Sequence, residues 1–351
     1  MIWPVGNAYS AIGVSYDSRF VTAVQLARRG QLWRLAAAGC MPRVSASADM
    51  DGQEAALVRG MLMRQGFKGN DVVLALPVEK LRTGVLDLPL RGSGAPVDDI
   101  AVGELARMHG YDPGAAETVC WDLPASSRAQ DVTHALAVAC RHADAEAILD
   151  AFQGAGLKVV ALDSRLNAVI RACRAMVSAS GISAILELGW DWAMLGLLYQ
   201  GVIIYQRIMP EGGVRQLAEA MARRLNLEAD SVDYIITDVG LGTKAQEGQA
   251  DLDSFETAIS MIKSYVESTI AELNAPFSYA LRQYAGSTVD RILVTGYGAA
   301  IPGVMDHIRS KLEFDLQMVT PADVVQCPTP LPGRSDHPLL TAAVGLAQFG
   351  E

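Results

Sequence analysis

Positive charge is sparse in this sequence and never runs together: its most basic stretches are the isolated pairs Arg28-Arg29 and Arg223-Arg224, within a formal net charge of -10. A sequence-independent nucleic-acid binder needs a basic stripe to displace counterions from phosphates, so this balance argues against a nucleic-acid partner. Cysteine is scarce as well. Cys40, Cys120, Cys140, Cys173 and Cys327 are odd in number, far apart and without CxxC spacing, and they read as reduced core thiols. His109, His134, His142, His307 and His337 are equally scattered, with no HxH or HExxH arrangement, so no metal site is expected. The most apolar stretch, Ala193 to Tyr205, is interrupted by Gly196, Gln200 and Gly201 and falls short of the roughly 20 residues a spanning helix requires. It reads as a buried β-hairpin. Met1 to Asn7 lack the basic start, apolar core and small-residue cleavage site of a signal peptide, which points to the cytoplasm.

What is present is apolar material in quantity. Hydrophobic residues make up 50% of the 351 and charged ones only 19%, enough to build compact cores without disorder. The length exceeds what one core usually serves, so two lobes are expected. The chain opens with a strand-like run, Ala11 to Tyr16, a polar turn at Asp17-Ser18-Arg19 and a second strand, Phe20 to Leu26. A third strand over Trp33 to Ala37, a helix over Gln53 to Gln65 and a buried strand, Asp71 to Leu76, follow.

The turn formers Arg91 to Pro96 predict a boundary, and beyond it the pattern predicts a compact α+β unit. Its helices are Asp98 to His109 and Asp144 to Gln153, its strands Glu117 to Leu123 and Thr133 to Cys140. The opening syntax then recurs: Ala184 to Gly189 is again a strand entering a tight turn, followed by Ala193 to Leu198 and Val202 to Gln206. Two such units about 170 residues apart suggest a duplicated domain with a cleft between its halves. Helical periodicity covers Val214 to Leu225 and Phe255 to Leu273, with Asp251 to Ser254 as a cap region. A strand, Arg291 to Thr295, enters the turn Gly296 to Ala299, Pro302 starts a helix to about Leu312, and Leu339 to Gln348 forms a last apolar helix.

These segments, in this order, resemble PilM, the actin-like family of type IV pilus assembly and competence systems. Ile12-Gly13-Val14 leading to Val21 to Leu26 resembles the family's first phosphate hairpin, and Gly154-Ala155-Gly156-Leu157 its A-G-L segment. Arg207-Ile208 with Glu211-Gly212-Gly213 resembles R-x-I-x-x-G-G. Thr295 to Ala299 with Ile301-Pro302-Gly303 resembles the adenosine motif, and Ala343 to Ala347 the closing A-x-G-L-A helix. The resemblance implies an α/β, actin-like, duplicated two-lobed fold with ribonuclease H-like halves and an inserted small α+β subdomain. The expected division is residues 1–90 for the first lobe, 91–160 for the inserted subdomain, 161–213 for the start of the second lobe, 214–288 for a helical subdomain and 289–351 for the rest of the second lobe with the closing helix.

By the same resemblance the nucleotide cleft maps to Ser15, Asp17, Ser18, Glu187, Gly189, Gly212, Gly213, Asp233, Gly296, Tyr297 and Gly298. Actin-like ATPases offer a hairpin from each half to the phosphates and an acidic side chain to Mg²⁺. Here the family's first Asp becomes Ser15 and its tight-turn Gly becomes Asp17, which puts an anion where a phosphate approaches. Its Lys becomes Thr22; the second Asp-Ile-Gly becomes Glu187-Leu188-Gly189, followed by Trp190, Asp191 and Trp192. Trp190 and Trp192 read as tip aromatics packing across the cleft. Tyr297 stands where a Gly leaves room for the nucleoside, and Ile236 replaces a Lys. These changes oppose ATP and Mg²⁺ and predict a degenerate site with no catalytic residue; Glu187 is the one carboxylate that could align a water, and a buried structural acid is its alternative role.

PilM-like proteins bind the cytoplasmic N-terminal peptide of PilN, a single-pass inner-membrane protein. The resemblance therefore implies a scaffold at the inner face of the inner membrane, with that peptide lodged between the first layer and the small subdomain, roughly residues 72–160. Cytoplasmic pilus motor components and further copies in a homo-oligomer or ring are the other implied partners. Two alternatives stay open: an ATP-binding switch of the cell-division actin-like kind, and the cytoplasmic actin-like component of type II secretion.

Overall fold

A computed structural model describes residues 8–30, 32–45, 47, 49–125, 133–242, 252–327 and 336–350. Its first half opens with β1 (Ala8–Tyr9), β2 (Ile12–Tyr16), β3 (Phe20–Arg29) and β4 (Leu32–Pro42), then α1 (Gly52–Arg64) and β5 (Asp71–Leu76). β2 is buried along its whole length, as befits a strand flanked on both sides and covered on both faces. It pairs antiparallel with β3 and parallel with β5. Asp51 caps α1 by accepting a hydrogen bond from the Glu54 amide, and Pro77 ends β5.

The small subdomain follows as β6 (Leu81–Leu88), α2 (Val97–His109), β7 (Ala116–Asp122), β8 (Thr133–Arg141) and α3 (His142–Gly154). Its antiparallel sheet runs β6-β8-β7, and α2 covers one face through Val97, Ala101 and Leu105 against Leu86, Leu88, Ala135 and Ala137. β6 pairs with β8 over its full length, so the turn at residues 91–96 lies inside this unit and does not open it. The three-stranded sheet begins at Leu81. β9 (Lys158–Ser164) then returns to the first sheet beside β5.

α4 (Arg165–Ala172) leads into β10 (Ile182–Leu188), β11 (Ala193–Tyr199) and β12 (Val202–Met209). β11 and β12 form the hairpin expected of the most apolar stretch. α5 (Val214–Leu225), α6 (Ala229–Tyr234), α7 (Leu252–Ala271) and α8 (Asn274–Gln283) precede β13 (Val289–Thr295), α9 (Val304–Lys311), β14 (Asp315–Met318), α10 (Pro321–Val324) and α11 (Thr341–Ala347). Asp251, expected in the cap of α7, lies outside the described residues. The helix expected from Pro302 begins two residues later because Gly303, at φ +78°, breaks the backbone path just before it.

The two large sheets repeat one topology. Both contain one five-strand order, β4-β3-β2-β5-β9 in the first and β12-β11-β10-β13-β14 in the second, each with two antiparallel and then two parallel pairings; the first sheet adds the short β1 as a sixth strand, antiparallel to β3. This is the duplication suggested by the two strand-turn-strand units. α11, expected with the second lobe, packs instead against the first: Leu340, Ala343, Val344 and Ala347 share a core with Val24, Leu26, Leu35 and Ala172. Two glycines permit that approach. A Cβ on Gly345 would lie 1.7 Å from the Ala168 carbonyl oxygen, and one on Gly13 would lie 2.2 Å from that of Ala343.

Among the cysteines, Cys140 and Cys173 are buried and burial pushes the Cys173 thiol up to about 12, but Cys327 is exposed. It follows the Arg34–Gln326 bridge, where the chain leaves the sheet. No helix among the described residues is long and apolar enough to cross a membrane.

Candidate functional site

The turn between β2 and β3 is closed by its own acid. The Asp17 carboxylate accepts from the backbone N–H groups of Arg19 and Phe20, both at 2.8 Å, which shapes the polar tip and occupies two of its donors. Burial raises the pKa of Asp17, and the nearby Arg165 guanidinium only partly opposes that. The next amide, Ser18, donates at 2.7 Å to Asp191, and the Ser18 hydroxyl donates at 2.5 Å to the other oxygen of the same carboxylate. Asp191 stands on the turn between β10 and β11, so the hairpins of the two halves are tied tip to tip. Arg215 at the start of α5 approaches Asp191 from behind, at 3.3 Å.

Deeper in the cleft lies an arginine. Ser164 caps α4 by accepting from the Asn167 amide, and this sets Arg165 on the first turn, aimed between the sheets. Its Nε meets Glu187 at 2.6 Å and its Nη1 donates to the Ser15 hydroxyl at 2.6 Å, with the guanidinium 5.5 Å from the Trp192 ring centre. Burial alone would lower the guanidinium pKa, but Glu187 and then Asp17 outweigh it, so Arg165 stays charged. The second oxygen of Glu187 is buried without a hydrogen-bond partner. Beside this pair Tyr16, Asp17, Arg165, Asp191 and Trp192 enclose about 20 Å³, room for roughly one water.

The other end of the cleft is aromatic. Gly296 has φ +90° and sits where a Cβ would lie 2.6 Å from the Leu188 carbonyl oxygen; a Cβ on Gly298 would lie 2.8 Å from Leu188 Cβ. Close approach of this loop to the end of β10 is therefore what these glycines supply. Tyr297 between them is buried, stacked on Phe20 at 5.5 Å and edge-on to Trp190 at 5.5 Å. Arg19 lies 4.0 Å above the Trp190 ring and forms an ion pair with Asp233. A pocket of about 470 Å³ remains outside Tyr297, lined by Arg19, Asp233, Ile236, Thr237 and His337 among others. Gly212 and Gly213 sit at the entry to α5: the Gly212 carbonyl accepts from the Tyr265 hydroxyl at 2.9 Å, and a Cβ on Gly213 would lie 2.4 Å from the Asp191 backbone. Gly189 closes its turn by donating to the Trp192 carbonyl at 3.0 Å.

The structure thus gathers Ser15, Asp17, Ser18, Glu187 and Gly189 at the closed end and Asp233 with Tyr297 at the open pocket. Gly212, Gly213, Gly296 and Gly298 serve close packing around them. Trp190 and Trp192 pack at the cleft as expected of tip aromatics. Arg165, Arg19 and Arg215 were not foreseen, since none belongs to a spaced motif. The first follows directly on the polar pair Asp163-Ser164 at the end of the apolar run Val159 to Leu162, which marks a strand end and nothing more specific. A nucleoside triphosphate with its Mg²⁺ does not fit the closed end of this arrangement. The amides of Ser18, Arg19 and Phe20 already donate to carboxylates, the free space is that of one water, and a guanidinium lies between Ser15 and Glu187.

Two sheets that share one five-strand order, each sending a hairpin into a shared cleft, define the actin-like fold. The chain belongs to the family described as "Type IV pilus assembly protein PilM", whose profile matches residues 58–348. That match begins after the first hairpin. Among solved structures it is similar to one described as "PilM-PilN type IV pilus biogenesis complex", with 19% identity, TM-score 0.77 and coverage of 97% of this chain and 98% of the other. It is also similar to the ethanolamine utilization protein EutJ from Carboxydothermus hydrogenoformans, with 15% identity, TM-score 0.54 and coverage of 100% and 93%. MreB 5 of Spiroplasma citri, solved with bound AMPPNP, gives 12% identity, TM-score 0.50 and coverage of 97% and 96%. No curated protein sequence matches the chain.

Proposed function

We propose that this protein is a cytoplasmic scaffold of a type IV pilus or related machine, held at the inner membrane by the N-terminal peptide of a PilN-like protein and acting without ATP turnover. Family membership and the likeness to a chain solved in a PilM-PilN complex support the partner. The observation that carries the docking site is the small subdomain's sheet. Its outer strands β6 and β7 have no further strand partner among the described residues, and each bears an exposed valine, Val85 at 45% and Val119 at 55%. An extended peptide can add to such an edge through its backbone and seat apolar side chains beside these valines. Asp87 and Glu117, exposed on the same face, suit a peptide carrying an amino terminus or basic side chains.

Calorimetric titration with the N-terminal peptide of the PilN-like protein is expected to show binding, weakened more than about tenfold by the substitution on the occupied edge, Val85→Asp on β6 or Val119→Asp on β7, and little by the other, each with stability within about 0.5 kcal/mol of wild type. Absence of binding, or binding indifferent to both substitutions, refutes the site. A second reading, an ATP-binding switch, is favoured by the pocket of about 470 Å³ at the aromatic end. Thermal denaturation with and without Mg²⁺-ATP separates the two. An unchanged midpoint supports the scaffold; a rise that grows with nucleotide concentration establishes the switch.

A further inference from the structure

We propose that Arg165 is a resident cation that latches the two lobes together, so that closure of the cleft is written into the chain and needs no ligand. The proposal rests on the reading that the closed end of the cleft holds no nucleotide. Ser15 belongs to β2 in the first sheet and Glu187 to β10 in the second, and Arg165 bonds both at 2.6 Å from full burial. Removing one partner of a buried ion pair leaves an uncompensated charge out of water and costs far more than losing a surface pair, and a guanidinium can hold two partners in a fixed fork. The family's two metal-facing acids are here one acid and one hydroxyl, a pair that suits a monovalent guanidinium better than a divalent ion.

Two further ties cross the same cleft at shallower levels. Ser18 gives both its amide and its hydroxyl to Asp191, with Arg215 set behind that carboxylate, and Arg19 reaches over Trp190 to Asp233. The hairpin of the first half is therefore engaged by the second half at its base, its tip and its outer rim. A bistable nucleotide clamp opens when its ligand leaves; here the ligand's charges have been replaced by side chains that cannot leave.

Hydrogen exchange on the whole protein reads this directly. Amides of residues 12–22 and 187–193 are expected to exchange about tenfold faster in Arg165→Met than in wild type, with a larger radius of gyration by X-ray scattering. Ser18→Ala and Asp191→Asn, which spare the buried pair, should loosen the hairpin tips alone; Ser15→Ala, which keeps the Arg165–Glu187 pair but removes the arm that reaches β2, should speed exchange over residues 12–22 and decides the matter if Arg165→Met fails to fold. Wild type should exchange identically with and without Mg²⁺-ATP. Variants that exchange like wild type overturn the latch alone. Protection of the wild-type hairpins by Mg²⁺-ATP overturns the nucleotide-free reading and the latch with it.

Discussion

Asp17 holds its hairpin in shape and yet weakens the fold by its charge. Its folded-state pKa lies above the ordinary carboxylate value because burial outweighs the Arg165 field. The sign follows from linkage: below about pH 4 the group is protonated in both states, and as pH rises the unfolded chain loses the proton first, so stability falls until the folded pKa is passed. Asp17→Asn keeps the oxygen that accepts from Arg19 and Phe20 while removing the partly buried charge. Urea denaturation should therefore find Asp17→Asn more stable than wild type at pH 7 and level with it near pH 4. A variant less stable at pH 7 would show that the attraction to Arg165 dominates. Ser15, Asp17 and Tyr297 were legible as departures because a family pattern exists at those positions to depart from. Arg165 was not, since its role depends on two partners 150 and 22 residues away that only folding brings within reach.

Elements were legible wherever hydrophobic period and punctuation agreed. β5 ends at Leu76, ahead of Pro77, and α1 ends at Arg64 with Gln65 as its cap, just ahead of Gly66, as the sequence indicates. The start of the small subdomain was hidden because its strongest turn signal, residues 91–96, joins two of its own elements, while β6 is set off from β5 only by a single short turn at Val78 to Lys80. α11 was legible as a helix but not as a first-lobe helix, since nothing in an apolar face says which sheet will take it. The glycines that seat it provide a sharp test. Gly345→Ala places a methyl against the Ala168 backbone, which cannot move as a side-chain tip can. It should lower stability by about 2–3 kcal/mol, read as a shift in urea midpoint with unchanged slope. A variant as stable as wild type would mean that α4 and α11 can separate without loss.

At the scale of the molecule, the repeat of strand, turn, strand about 170 residues apart was enough to predict duplication, and the two sheets share one order. The same view bears on the proposed scaffold without ATP turnover. The lobes have separate cores, built by Ile12, Val14 and Leu74 in one and Ile182, Leu186 and Val294 in the other, and Tyr297 and Ile236 of the cleft are packed into the second. The apolar side chains that fill the aromatic end of the cleft therefore extend the second lobe's core.

The seating of α11 on the first lobe also sets a clock. During synthesis the faces of β3 and β4 that carry Val24, Leu26 and Leu35 emerge about 300 residues ahead of the helix that covers them, a wait of roughly 15–60 s at ribosomal speeds. For that interval the newborn first lobe carries an uncovered apolar patch. The half of the protein made first is the half finished last, and it is in that window that a chaperone would find it.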